Sequence, residues 1–222
     1  MTGRPSQAWP GRRARCAAFA FLSLAATPAA LASAEPPPAE WVVQEQGTAH
    51  FTFALAITPD FDGRHTSERL RVLARGTDTV VQEVEITAMA STIPPAQQLA
   101  VMDVDFDGWP DIVLPNADGG AGPNFSLDFY LYDALKGQFV HHPVLSGLSQ
   151  PMVAGYGTIT AAARASCCQH VAERYRFIRG QLVLTGEVDI HHTSDGKWVV
   201  TSGTRMVGGR WKAWSNRQRV PY

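Results

Sequence analysis

Residues 99–115 read LAVMDVDFDGWPDIVLP, an acidic loop between two short apolar segments. The flanking segments, 99–102 and 112–114, have the length and composition of buried β-strands and are too short for helices. The loop therefore predicts a connection between two strands. An EF-hand, in which helices flank the loop, is not indicated, because Leu114 stands where the bidentate Glu is required.

Short strand-like segments recur on both sides of this loop. Phe51, Phe53, Leu55 and Ile57 alternate with smaller residues, and no window longer than about ten residues has a convincing helical period. The 19 Gly and 15 Pro favour many turns. Further short runs lie at 111–115, 127–132, 170–178, 181–188 and 198–207. These features predict an all-β fold, a compact antiparallel, β-propeller-like domain, with a β-sandwich as the alternative.

The N-terminal segment has the order of a secretory signal peptide. Four Arg precede an apolar run at 16–32, and small residues then offer cleavage after Ala34. The run is too short and too rich in Ala for a stable membrane span. We therefore expect a signal peptide at 1–34, a Pro-rich linker at 35–40 (EPPPAE) and a periplasmic location.

The remaining chain carries an uneven charge. The whole sequence has 19 basic and 20 acidic residues, and removal of 1–34 takes four Arg. Residues 35–195 include nine basic and 20 acidic residues, whereas residues 196–222 include six basic residues and no acidic one. The acidic body favours a basic protein partner, and the balance gives no reason to expect nucleic acid. We divide the chain into a β-rich domain at 41–207, which contains the acidic loop, and a basic tail at 208–222. We interpret the Trp-containing tail as a last strand with a frayed end. The alternative is that its tryptophans stack on sugars or that the tail lies at an anionic surface.

The acidic loop has the spacing of a calcium site. Asp103, Asp105, Asp107 and Asp111 occupy positions 1, 3, 5 and 9, with Gly108 at the sharp turn. The backbone carbonyl of Trp109 at position 7 completes the predicted ligand set. Without a cation, carboxylates packed this closely repel one another. The alternative is a solvated turn between two strands; we predict Ca²⁺ in a structural role.

Two adjacent cysteines remain after the signal peptide, Cys167 and Cys168. In an oxidising compartment they can form a vicinal disulfide, pair between molecules or stay reduced. With the nearby His170 as a base, one of these cysteines could act as a thiol nucleophile. Glu187 and Asp189 would share a strand face, as the two carboxylates of a glycoside hydrolase might. A disulfide or a buried thiol explains the cysteines better, and the two carboxylates are interpreted as ordinary surface acids. An enzyme is therefore not predicted, and no catalytic residue is assigned.

The segment from about 97 to 190 resembles a known family. After the acidic loop come LDFYLYDALKGQFVHHPVLSGLSQP at 127–151 and YRFIRGQLVL at 175–184. Their order is similar to that of the calcium-binding periplasmic immunity proteins of antibacterial type IV secretion systems, which relate functionally to lysozyme inhibitors. The resemblance implies a propeller-like, calcium-stabilised domain that inhibits a peptidoglycan hydrolase or lysozyme-like effector by inserting a loop into its cleft.

Within this resemblance Tyr156 is the candidate for the inhibitory loop, because an aromatic flanked by Gly155 and Gly157 can protrude into a partner. The alternative is a turn aromatic that covers the core. The rival function is a calcium-dependent adhesion or carbohydrate-binding module of the FG-GAP/VCBS type, since acidic DxDxDG loops also occur in such repeats.

Overall fold

The computed structural model describes residues 38–59, 63–86, 91–116, 125–164, 166 and 168–220. The predicted signal peptide, the first half of the predicted linker (35–37) and Cys167 lie outside these residues. In the described part of the chain, no helix has the length and hydropathy needed to cross a membrane.

Three antiparallel sheets make up the fold, and within each sheet the strands follow one another in sequence order. The first sheet contains β1 (Glu40–Val43), β2 (Phe51–Pro59), β3 (His65–Ala74) and β4 (Thr79–Glu85). The second contains β5 (Ala100–Met102), β6 (Asp111–Asn116), β7 (Ser126–Asp133) and β8 (Gln138–His141). The third contains β9 (Met152–Ala154), β10 (Thr158–Arg164), β11 (Gln169–Ile178), β12 (Gln181–His192), β13 (Trp198–Val207) and β14 (Arg210–Arg219).

Helical structure is limited, among the described residues, to two short pieces. One is the 3₁₀ turn Pro95–Gln97, and the other is α1 (Pro143–Ser146). The N-terminus of α1 is capped by His142, whose Nδ1 accepts the backbone N–H of Leu145 at 3.1 Å. The predicted all-β, antiparallel class is therefore confirmed. Neither a propeller nor a closed barrel is found among the described residues, so the propeller-like part of the prediction is not supported, and the three sheets are consistent with the sandwich alternative.

The second sheet is buried on both faces. One core joins it to the first sheet, and Ile112 and Leu114 of β6 contribute to that core. A second core joins it to the third sheet, and Val113 of β6 points into it with Phe129 and Ile159. Because alternate residues of a strand face opposite sides, a strand covered on both sides must be apolar throughout. This explains the uninterrupted IVL run after the acidic loop.

Small residues on the outer side of β2 are covered by a layer of longer side chains. Ala54 and Ala56 are buried, and Ala56 is the cross-strand neighbour of Trp41 and Arg69. The guanidinium of Arg71 lies 3.8 Å from the ring centroid of Trp41, a cation–π contact. Phe53, Leu55 and Ile57 face the first core instead. The predicted alternation in this strand is thus one of size, with both faces buried.

The predicted tail, 208–222, contains β14, which pairs along its full length with β13. Every residue of β14 is exposed, so it forms an edge of the third sheet. The basic residues and both tryptophans of this segment, Trp211 and Trp214, are therefore displayed on a strand in a fixed register.

Close pairing of β12 and β13 depends on Gly203. A Cβ at this position would collide with the backbone carbonyl of Glu187. We expect Gly203→Ala to lower the free energy of unfolding by about 1–3 kcal/mol, because the strands must move apart. Gly155→Ala, where an added Cβ meets nothing within 4 Å, is the control. Denaturant unfolding measures both, and an unchanged midpoint for Gly203→Ala contradicts the prediction.

Candidate metal site and the turn beside it

The acidic loop connects β5 to β6, at the edge between the two cores. Asp103 follows directly after β5, and Asp111 is the first residue of β6. Between them the backbone enters the left-handed region twice, at Phe106 (φ 63°) and Gly108 (φ 94°). Glycine adopts this conformation readily, but a side chain such as that of Phe106 does so at a cost. These two residues curl the loop back on itself.

Carboxylates at the start of the loop hold this curl. Asp103 accepts the backbone N–H of Asp107 on Oδ1 at 3.2 Å and that of Gly108 on Oδ2 at 3.1 Å. Asp105 Oδ1 accepts the N–H of Asp107, also at 3.2 Å. The backbone donors therefore draw the acidic side chains inward, toward the same centre.

Asp111 anchors the loop to the rest of the fold. Its side chain is buried, with the residue 1% exposed, and its two oxygens accept the backbone N–H groups of Val104 and Tyr132 at 2.8 Å each. Burial raises the pKa of Asp111 to about 7, although the two N–H donors act in the opposite direction. Asp111 thus ties the loop to β7 while carrying a carboxyl group that is costly to ionise without a cation.

The three carboxyl groups of Asp103, Asp105 and Asp111 come together as a group that can hold a metal ion. One oxygen from each lies within 4.8 Å of the other two. Oxygens bound to one Ca²⁺ at about 2.3–2.6 Å can be separated by up to roughly twice that distance, so the spacing fits. Burial and the neighbouring charge of Asp107 raise the pKa of Asp105 to about 6. A bound cation offsets both the cost of ionising a buried carboxyl group and the repulsion between neighbouring carboxylates.

The remaining two predicted ligands lie in the same loop but outside this group. Asp107 Oδ1 accepts the backbone N–H of Trp109 at 2.8 Å. The Trp109 ring lies against Tyr132, with 5.4 Å between ring centroids. Coordination by the Asp107 carboxylate and the Trp109 carbonyl remains a prediction, as does the identity of the ion.

The raised pKa values predict that Ca²⁺ stabilises the protein more at about pH 8 than at about pH 5. Folded Asp105 and Asp111 keep protons up to about pH 6 and 7, whereas the unfolded chain releases them near pH 4. The stability from these neutral groups is therefore complete below about pH 4 and is lost as the pH rises through 6 to 7. A bound cation offsets that loss at high pH and competes with protons at low pH.

Melting temperatures with calcium and with chelator, each at both pH values, measure this difference. Burial lowers the pKa of half-buried His142, so this residue also makes stability depend on pH. Its contribution is the same in calcium and in chelator, and it therefore cancels in the comparison. An equal calcium effect at the two pH values contradicts the assignment of Asp105 and Asp111.

Tyr156 lies at the tip of the three-residue turn that joins β9 to β10. Its backbone is left-handed (φ 63°) and the residue is 98% exposed. The alternative prediction, in which Tyr156 covers the core, is therefore wrong. The backbone carbonyl of Tyr156 accepts Nη2 of Arg176 on β11 at 3.4 Å. The turn therefore presents an aromatic side chain to solvent from a backbone that is held by the sheet below.

The Tyr156 turn and the acidic loop are neighbours. A Cβ built on Gly157 would lie 3.8 Å from Cδ2 of Phe106 and 3.7 Å from Nη2 of Arg176. Phe106 of the acidic loop therefore lies next to Gly157, at the base of the turn. The sequence prediction missed both Phe106 and Arg176. An apolar residue inside an otherwise acidic, solvated loop was the available signal for Phe106.

The other predicted pairs remain apart from this site. Asp189 accepts Nε2 of Gln169 at 2.6 Å and contacts His191 Nδ1 at 2.8 Å, and these partners lower its pKa. Cys168 is exposed, with its backbone N–H donated to Ser166 Oγ at 3.2 Å. Because Cys167 lies outside the described residues, the disulfide stays a prediction.

Comparison with known proteins finds a likeness in structure. No protein-family model matches the chain, and no curated protein matches it. A solved structure described as "Structure of a Xanthomonas Type IV Secretion System related protein" is similar with a TM-score of 0.60 and 18% sequence identity. The likeness covers 82% of this chain and 98% of that chain. At this identity, it shows that the two chains share a fold.

Proposed function

We propose that this chain is a periplasmic, calcium-binding inhibitor of the immunity-protein type, which blocks a lysozyme-like peptidoglycan hydrolase. The observation that carries the proposal is the Tyr156 turn: a 98% exposed aromatic on a three-residue turn that lies beside Phe106 of the acidic loop. The predicted signal peptide supports the location. The fold shared with a protein related to a type IV secretion system supports the biological setting.

The mechanism we propose is steric occlusion of the hydrolase cleft. A tyrosine offers a large contact area with few rotatable bonds, and such residues dominate many protein interfaces. The hydrogen bond from Arg176 to the Tyr156 carbonyl fixes the turn before binding, so little conformational freedom is lost on association. The acidic body, between 35 and 195, attracts a cationic hydrolase and raises the association rate.

Calcium has an indirect role in this mechanism. Asp103, Asp105 and Asp111 would hold the ion, with Asp107 and the Trp109 carbonyl as further predicted ligands. Neutralising these carboxylates stabilises the curled loop, and with it the position of Phe106 beside the turn. The chain does no chemistry on a substrate in this proposal, and the hydrolase supplies the catalytic residues.

The test is inhibition of hydrolase activity. The mature chain is titrated, in calcium, against a panel of lysozymes and peptidoglycan hydrolases, including any encoded beside its gene. We expect stoichiometric inhibition of at least one enzyme, weakened by salt because the encounter is electrostatic. Unchanged activity of every enzyme at saturating inhibitor would contradict the proposal.

A second function has one observation in its favour. A cavity of about 210 Å³ lies beside the acidic loop and is lined by aromatic rings, those of Phe51, Trp109, Tyr132 and Phe139. Aromatic rings stack on sugars, so a calcium-dependent adhesion or carbohydrate-binding module of the FG-GAP/VCBS type is the alternative. Adsorption to purified peptidoglycan that is lost on chelation and on Trp109→Ala, together with no hydrolase inhibition, would favour it.

A further inference from the structure

The third sheet has an inner and an outer face of different charge. Ile159 on β10 is buried in the second core, and its cross-strand neighbour Tyr175 packs against the same core. These residues define the inner face. Because directly paired residues lie on the same face and successive residues alternate, the register assigns every other position to the outer face.

The outer face is basic. Among its described positions there is no Asp or Glu, whereas Glu173, Glu187 and Asp189 all lie on the inner face. The outer positions include six basic residues, namely Arg164, Arg174, Arg176, Arg205, Arg210 and Lys212. This concentration is notable in a chain whose body is acidic, and it favours an anionic ligand on this face.

The cations at the centre of the face stand in one cross-strand row. Arg174 on β11 and Arg205 on β13 are both paired with Gly186 on β12, one from each side. Lys212 on β14 is directly opposite Arg205. In the described part of the chain, none of these three cations forms an ion pair with a carboxylate. Like charges directly across a sheet destabilise it, so an anion bound between them would relieve the repulsion.

A cavity of about 280 Å³ lies at this row. Arg174, Arg205, Gly186, Val188 and Trp214 are among the residues that line it. Gly186 is paired with both arginines, and it has no side chain to occupy the outer face between them. The volume is near the lower end of the range for ligand pockets, roughly 300–1,000 Å³, which suits one sugar residue.

Glu173 is the acidic residue that borders the cavity. Its carboxylate accepts the Tyr175 hydroxyl at 2.9 Å, on the side that faces the second core. Glu173 therefore leaves the guanidinium groups of the cavity available to another anion.

We propose that this cavity binds an anionic saccharide, a sugar that carries a carboxylate or a phosphate. The anionic group lies between Arg174 and Arg205, whose planar guanidinium groups match carboxylate and phosphate oxygens in a bidentate manner. The sugar ring packs against the Trp214 indole. The concave shape and the single indole favour a sugar over a flat lipid surface.

The proposed site is separate from the metal loop and goes beyond hydrolase inhibition. Its residues lie on β11–β14, whereas the metal ligands lie between β5 and β6. An anionic sugar is a component of the cell envelope, both as the carboxylate-bearing glycan of the wall and as phosphorylated lipopolysaccharide. Binding of either would hold the protein near the surface at which a hydrolase acts.

The test uses isothermal titration and Trp fluorescence on the mature chain with three soluble probes. N-acetylmuramic acid represents the wall glycan, glucose 6-phosphate represents the phosphorylated source, and chitobiose is the neutral control. We expect at least one anionic probe to bind, and Arg174→Gln/Arg205→Gln to weaken it by about tenfold or more, because hydrogen bonds to a charged group are lost. Trp214→Ala is expected to weaken binding and to reduce the fluorescence change.

The matched control is Arg179→Gln/Lys197→Gln, which removes the same charge from exposed turns outside the cavity. It should bind as the wild type does, and chelator should leave binding unchanged, which separates this site from the calcium-dependent alternative. Melting curves check that the variants fold. Equal binding of chitobiose, equal binding by the Arg174→Gln/Arg205→Gln variant, or no binding of either anionic probe would overturn the proposal.

Discussion

Asp111→Ala is expected to lower the free energy of unfolding by about 3–5 kcal/mol, because it leaves two buried backbone N–H groups without their acceptor. Val104 N–H and Tyr132 N–H both donate to Asp111 at 2.8 Å. Val104 is itself fully buried in the second core. Water therefore has little access to replace the lost acceptor, and the loop loses its attachment to β7.

Asp105→Ala is the matched control for this effect. Asp105 shares the proposed metal site, but it accepts a hydrogen bond within the loop and none from β7. In chelator, its removal should change stability little, since it also removes repulsion from Asp107. Asp111→Asn, which keeps one acceptor oxygen, should fall between. Urea unfolding in chelator measures all three, and equal destabilisation by Asp105→Ala and Asp111→Ala would show that Asp111 has no anchoring role.

Tyr156→Ala is expected to weaken hydrolase binding by about 100-fold, the loss typical of a central aromatic in an interface. The same substitution should leave the unfolding free energy within about 0.5 kcal/mol of the wild type, because the side chain is almost fully exposed. A large loss of affinity with no loss of stability is a combination that a purely structural residue does not produce.

Leu135→Ala is the control for Tyr156. Leu135 is a fully exposed apolar residue in the turn between β7 and β8, so its removal tests whether any exposed apolar turn residue matters. We expect it to inhibit like the wild type. Calorimetric titration against an inhibited hydrolase gives both affinities. If Tyr156→Ala inhibits as well as Leu135→Ala, the Tyr156 turn does not enter the cleft.

The acidic loop and its flanking strands could be predicted from the sequence, because both depend on local spacing. Alternate carboxylates followed by Gly108 determine a curled loop, and the IVL run after it could only be a doubly buried strand or a helix too short to stand alone. The grouping of Asp103, Asp105 and Asp111 follows from the same local geometry.

Contacts between distant segments could not be predicted in this way. The position of Phe106 beside Gly157 depends on packing of the second sheet against the third, to which residues far apart in sequence contribute. The basic outer face requires the register of β11–β14, including the irregularity between Arg174 and Tyr175. A shift of one residue would move each cation to the other face. A periodic pattern alone does not determine that register.

The dependence of hydrolase inhibition on calcium tests the central claim most directly, because it joins the metal loop to the Tyr156 turn. Residual activity of an inhibited hydrolase is titrated with the chain in calcium, in chelator, and in chelator followed by excess calcium. We predict stoichiometric inhibition in calcium, clear weakening in chelator, and recovery when calcium is restored. Inhibition of equal strength in calcium and in chelator would contradict the account, since the acidic loop would then have no part in presenting Tyr156.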